Sequence, residues 1–162
     1  MATRWVSNSS PLILLARCGQ ADLLWKACDE LVIPHSVASE ILAYPHTDGA
    51  QQIVQAGDLA VVADRPVLPA VEHWNLGAGE SAVLVFALEH PGWIAVLDDG
   101  LARRAAAALG VPHIGTIAVI LRAKALGLIP EVRSMLALLT ANGARLERSL
   151  IETALQAAGE DG

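Results

Sequence analysis

Five oxygen-bearing side chains in this 162-residue chain recur at one kind of position: Asn8, Glu40, Glu80, Asp98 and Asp99 each follow a short apolar run or belong to the helix after it. Carboxylates are preferred ligands of Mg²⁺ and Mn²⁺, and ions held that way activate water and steady phosphoryl oxygens during hydrolysis. The chemistry to expect from such a set is metal-assisted cleavage of a phosphodiester. Asp98-Asp99 is the strongest element, because adjacent carboxylates at the end of an apolar strand repel each other unless a cation or an arginine compensates. The competing reading is a cap, with Asp99 favoured at the N-terminus of the next helix.

Glu80 opens a helix, where a carboxylate is welcome on dipole grounds alone. Gly77 and Gly79 just before it add a reason for function, since paired glycines let the backbone turn sharply and bring Glu80 close to another strand end. Glu40 taken alone would be a solvated residue on an amphipathic helix. Arg103 and Arg104 follow the acidic pair and could hold a phosphate, or form ordinary ion pairs; Arg122 and Lys124 carry the same ambiguity. Ser9 and Ser10 stand next to Asn8, where capping explains them better than nucleophilic attack, no G-x-S-x-G elbow being present. The five histidines have no HxxxH or HExxH spacing, and Cys18 and Cys28 have no CxxC spacing, so neither set suggests zinc.

One alternative uses the glycines differently. Gly77-x-Gly79-x-x-Ala82 matches a dinucleotide-binding fingerprint, with acids about 20 residues later to meet a ribose hydroxyl. That fingerprint should follow a strand, and Glu80 would place negative charge where a pyrophosphate must bind.

The elements that must position these residues alternate. Strands are expected over 4–7, 30–33, 59–62, 93–97 and 111–114. Helices are expected over 11–17, 21–28, 36–42, 49–56, 81–89, 102–109 and 116–126, with 65–76 a loop or a loop holding a short helix. Two further helices, 131–140 and 146–158, are joined by the helix-terminating pair Asn142-Gly143. The fold class is α/β: a central, mainly parallel sheet covered on both faces. In such sheets ligands bind beyond the carboxyl ends of the strands, the edge at which all five oxygen-bearing residues would gather. Residues 1–162 are expected to form one domain, with C-terminal helices from about 130 to 158.

The net charge of −6 argues against nonspecific wrapping of nucleic acid by a basic surface. It does not exclude a nuclease, whose acidic site would itself supply several of those charges. Hydrophobic residues make up 54% of the chain, yet the longest apolar runs fall well short of the roughly 18 residues a membrane span needs. The surplus suits an oligomer interface. The first residues lack the apolar stretch of a signal peptide, which points to the cytoplasm.

Five motifs in order resemble a known family: Val6-Ser7-Asn8-Ser9-Ser10-Pro11-Leu12-Ile13, Ile33-Pro34-x-x-Val37-x-x-Glu40-Ile41, Leu76-Gly77-Ala78-Gly79-Glu80-Ser81-Ala82, Leu97-Asp98-Asp99-x-x-Ala102-Arg103 and Gly115-Thr116. Together they resemble the PIN-domain superfamily, in particular a prokaryotic branch carrying the G-x-G-E and D-D patterns. The resemblance implies a three-layer α/β/α sandwich and a Mg²⁺- or Mn²⁺-dependent ribonuclease. It also implies an RNA substrate, a frequent role as the toxin of a toxin–antitoxin pair inhibited by a small antitoxin protein, and a homodimer. By motif, Glu40, Glu80 and Asp99 take the places of the family's acidic metal ligands, Asp98 being a substitute for Asp99, and Ser9 or Ser10 matches the hydroxyl residue after the first strand. Most PIN nucleases end that strand in aspartate. Asn8 offers a neutral carbonyl instead, still a ligand for a hard cation but with one negative charge fewer, so the second reading is a weak or silent nuclease that acts by binding nucleic acid or protein.

Overall fold

The computed structural model describes residues 1–43 and 49–161. Its centre is β1 (Arg4–Ser7), in which Trp5, Val6 and Ser7 are all buried. Consecutive burial rather than alternation means that both faces of the strand are covered, the situation of an inner parallel strand. The others are β2 (Glu30–Pro34), β3 (Ala60–Val62), β4 (Ile94–Val96) and β5 (His113–Ile114). They form one sheet in the order β3-β2-β1-β4-β5, and every neighbouring pair runs parallel, with Val6 opposite Val32 on one side and Ala95 on the other. Pro34 is tolerated in β2 because the pairing with β1 has ended at Val32, so its missing N–H leaves no gap on that side.

The chain moves outward from β1 to β2 and β3, then returns to lay β4 against the free side of β1. That reversal opens a crevice beyond the carboxyl ends of β1 and β4, the place where open parallel sheets bind ligands. An amide bond ties its walls together: Asn8 N–H donates to the Val96 carbonyl at 3.1 Å.

The helices are α1 (Ser9–Arg17), α2 (Leu23–Lys26), α3 (His35–Ala43), α4 (Ala50–Gln55), α5 (Pro69–Glu72), α6 (Ala78–Glu89), α7 (Gly100–Ala108), α8 (Thr116–Ala125), α9 (Val132–Ala141) and α10 (Arg148–Ala157). They flank the sheet, giving the α/β sandwich that the sequence predicts. Among them α6 is apolar on every side, and residues 81–87 are buried without a break. Such a helix must be covered all round, and α6 packs against β1, β2, β4, α3 and α5. It begins at Ala78, earlier than expected, so Gly79 and Glu80 both lie in its first turn. By contrast α2 is shorter than the expected 21–28. The Asp29 amide bonds the Thr3 carbonyl at 2.8 Å and draws the chain into register beside β1 before a longer helix can form.

At the other end α9 and α10 pack on α8. Glu160 fastens them: its Oε2 accepts from Lys124 Nζ and from the Val132 N–H, each at 2.7 Å, and its Oε1 accepts from the Arg133 N–H at 3.0 Å. The Lys124 hydrogen bond first, and then the two amides at the start of α9, hold the Glu160 carboxyl down at about 2. Of the two readings open for Lys124, the ion pair is the one realised, and Arg122 too is occupied. Its Nη2 donates to Thr3 Oγ1 at 3.0 Å and its Nε to the Ala27 carbonyl, residues at the amino ends of β1 and β2 and so opposite the crevice.

Candidate metal centre at the carboxyl edge of the sheet

The residues after β1 build the floor. Asn8 is the N-cap of α1 in extended conformation, and only 4% of it is exposed. Its side-chain Oδ1 is buried and has no hydrogen-bond partner. A buried acceptor without a donor is costly, so this oxygen is a place where the fold is incomplete by itself.

What surrounds it is decided by a glycine. A Cβ on Gly79 would stand 3.1 Å from Asn8 Oδ1, 2.9 Å from Glu40 Oε2 and 3.2 Å from Val37 Cγ2. Both acceptors thus converge on the first turn of α6, where only a residue without a side chain leaves them room. The sequence suggested that the paired glycines make a sharp turn. That is corrected: neither has a positive φ, Gly77 is an extended N-cap with φ −62°, and Gly79 serves close approach. The dinucleotide reading falls as well, since α5 and a turn, not a strand, precede α6.

Glu40 reaches the crevice from the C-terminal half of α3 and accepts a hydrogen bond from Ser9 Oγ at 3.2 Å. Ser9 was expected to cap a helix; it lies instead in the first turn of α1 and orients Glu40, while α1 has no side-chain cap bond. Ser10, the next residue, is exposed at the mouth. The two serines, Glu40 and Asp98 share the wall of one cavity of about 360 Å³.

Glu80 joins from the start of α6. Its carboxyl holds its proton more tightly than usual, first because burial strips away water and then because the Asp99 and Glu40 carboxylates repel its charge. Glu80 therefore lies within electrostatic reach of both Asp99 and Glu40. Among the described residues no three His, Cys, Asp or Glu side chains are gathered at ligating geometry; the carboxylates surround the crevice without closing on a point.

The adjacent aspartates divide their work. Asp99 is the N-cap of α7, its Oδ2 accepting from the Ala102 N–H at 3.0 Å. Asp98 turns the other way and takes the first residue of α8 with both oxygens, Oδ1 from the Thr116 N–H at 2.8 Å and Oδ2 from the Thr116 hydroxyl at 2.6 Å. Gly115 makes this clamp possible, since a Cβ there would come within 2.9 Å of Asp98 Oδ1 and of Arg103 Nη1. Arg103 donates through Nη1 to the Leu97 carbonyl at 3.1 Å and stays beside the clamp. Arg104 is exposed, its Nη1 lying back over Gly100. The part of Thr116 was missed in the sequence, although Gly115-Thr116 was the signal for it.

A family model described as a PIN domain, DUF3368, matches residues 4–160. The chain belongs to the PIN-domain family. PIN domains are generally nucleases, and the five parallel strands with their acidic carboxyl edge agree with that assignment. No curated protein matches the sequence at a significant level. No helix among the described residues is long and apolar enough to cross a membrane.

An ion of the kind PIN nucleases use suits the residues at the crevice. The donors are hard oxygens, and a divalent cation satisfies two facing acceptors where a hydrogen bond cannot. The unpartnered Asn8 Oδ1 beside Glu40 is the observation that favours the fit.

Proposed function

We propose that this PIN-domain protein is a Mg²⁺- or Mn²⁺-dependent endoribonuclease. The observation that carries the reading is the orphaned Asn8 carbonyl converging with Glu40 on Gly79, in a crevice where a second carboxyl, Glu80, is destabilised as an anion by burial and then by its acidic neighbours. Asn8, Glu40, Glu80 and Asp99 would hold the ion, with Asp98 kept beside them by Thr116. When bound, the ion supplies Lewis-acid activation of water and neutralises charge on the phosphoryl oxygens.

The protein's own groups do the rest. Ser9 fixes the Glu40 carboxylate with a hydrogen bond, so that little reorganisation is needed when substrate arrives. Arg104, exposed near the start of α7, offers its guanidinium to a phosphate, Arg103 offers the donors that its bond to the Leu97 carbonyl leaves over, and Ser10 at the mouth offers a hydroxyl. A toxin role with a small antitoxin partner, a homodimer built on the exposed apolar residues, and a cytoplasmic location go with this reading.

The second reading, a silent PIN domain that binds nucleic acid or protein, is favoured by one observation: a neutral amide stands where most PIN nucleases carry aspartate. One experiment separates the two. Labelled RNAs are incubated with the purified protein and Mn²⁺, Mg²⁺ or EDTA, alongside Asp99→Asn and Asn8→Asp. Metal-dependent cutting that Asp99→Asn abolishes supports the nuclease; cutting only by Asn8→Asp supports the silent form.

A further inference from the structure

A second cavity, of about 450 Å³, opens directly beside the acidic crevice. Leu14 and Asp98 belong to the walls of both. From there the second cavity runs between Ile117 and Leu121 of α8 and Leu139 of α9, and its far side is the segment before α10 that carries Arg145 and Leu146. The walls are aliphatic. Its polar lining is the group Asp98, Thr116 and Arg103, which sit together at the clamp beside the crevice, and the exposed Arg145. Arg145 is exposed and has no hydrogen bond or ion pair among the described residues, unlike Arg103, Arg122 and Arg133, whose hydrogen bonds occupy them within the fold.

We infer that this cleft receives one unpaired nucleobase of the RNA, adjacent in sequence to the phosphate held at the acidic crevice, with Arg145 pairing to the phosphate on the far side of that base. Three observations bear on the occupant. The cleft is continuous with the crevice through Asp98 and Leu14, so a chain lying in one reaches the other. It has the size of a small-molecule pocket, open to solvent but too small for a helix. Its charge suits a polyanion, because a chain of net charge −6 keeps the exposed guanidinium of Arg145, unpaired among the described residues, on an apolar slot that begins at its acidic site. Among the described residues the cleft has no aromatic ring on which a base could stack, so the base is held as an extruded base is, by burial between apolar side chains, with its backbone paired to arginine. The inference rests on the nuclease reading, and it adds that the substrate must be single-stranded at this position.

The test is equilibrium binding of fluorescent single-stranded ten-nucleotide RNAs to the native chain in Ca²⁺, a hard cation that suits the crevice oxygens, followed by anisotropy. Each RNA carries one abasic nucleotide, moved along the sequence. A single position should lose affinity several-fold, toward the low end of the roughly 1–3 kcal/mol that an aromatic stack contributes, because the walls here are aliphatic. Arg145→Ala should weaken all the RNAs several-fold and flatten the dependence of log affinity on log salt by roughly 0.7, the signature of one lost phosphate contact with a single strand. Leu121→Trp, which fills the slot, should make intact and abasic RNAs bind alike. Arg4→Ala at the opposite edge of the sheet should change nothing.

A uniform abasic scan, an unchanged salt slope for Arg145→Ala, or no RNA binding at all overturns the inference. Cleavage in Mn²⁺ together with a uniform scan overturns the cleft and leaves the nuclease intact. A position-specific scan with no cleavage supports the cleft and overturns the nuclease. If Leu121→Trp spares RNA binding but dissociates a dimer in sedimentation, the cleft is a protein interface and the inference falls.

Discussion

Asp98 clamps Thr116 with both of its carboxylate oxygens, at 2.8 Å to the backbone N–H and 2.6 Å to the hydroxyl. This bond joins the end of β4 to the start of α8 and stands between the acidic crevice and the apolar cleft beside it. It separates the roles of two residues that are indistinguishable in type and adjacent in sequence, and it makes their substitutions differ.

Asp98→Ala leaves the N–H and hydroxyl of Thr116, itself only 4% exposed, without their acceptor. Stability should fall by about 1–3 kcal/mol. Asp99→Asn keeps a side chain suited to the N-cap of α7 and should stay within about 0.5 kcal/mol of native, yet lose Mn²⁺ binding. Thermal melts paired with titration calorimetry read both; an Asp99→Asn protein that binds Mn²⁺ as well as native would remove Asp99 from the site.

Asn8→Asp introduces a carboxylate at a buried position next to Glu40. Without an ion the new charge is poorly solvated and repelled, so the melting temperature in EDTA should drop by several degrees. With Mn²⁺ the same charge becomes favourable, tightening binding on the order of tenfold and giving a larger stabilisation by the ion than in the native chain. Equal shifts with and without Mn²⁺ would place the ion elsewhere.

Gly79→Ala sets helix propensity against fit. Alanine gains up to about 1 kcal/mol in a helix interior, but its methyl would press on Glu40 Oε2 at 2.9 Å and Asn8 Oδ1 at 3.1 Å. The expected outcome is a melting temperature near native with Mn²⁺ binding weakened at least tenfold. Unchanged Mn²⁺ affinity would mean that Glu40 and Asn8 do not act together.

Two glutamates should respond to pH with opposite signs. The Glu80 carboxyl is raised, so its charge opposes folding, and the stability it retains in acid is lost as pH rises through its raised value. Glu80→Gln should therefore melt higher than native at pH 7 in EDTA, the difference closing in acid. Glu160 is lowered to about 2, so its contribution is complete above the ordinary glutamate value of about 4.3 and disappears as pH falls toward 2. Glu160→Gln should melt a few degrees lower at pH 7, with the gap closing between about pH 4.3 and 2. Melts at pH 7 and pH 3 check both signs.

The sequence by itself determined the order and kind of the elements and the set of candidate oxygens. Local pattern carries that information: apolar runs of strand length, helical spacing and acids just past the runs are visible along the chain without knowing what packs on what. The PIN family was legible for the same reason, since its motifs are local. Only the tertiary structure decided which residues meet. Asn8 and Glu40 become neighbours because α6 crosses β1 and β2 and brings Gly79 between them. Asp98 and Asp99 part company because one faces Thr116, 18 residues on, while the other faces its own helix. Arg122 and Lys124, whose types left a phosphate open, are taken up within the fold, Arg122 by Thr3 at the amino end of β1 and Lys124 by Glu160 at the start of α9. Each of these outcomes depends on strand order and helix direction, set by burial summed over the whole core, and no short window of sequence contains that sum.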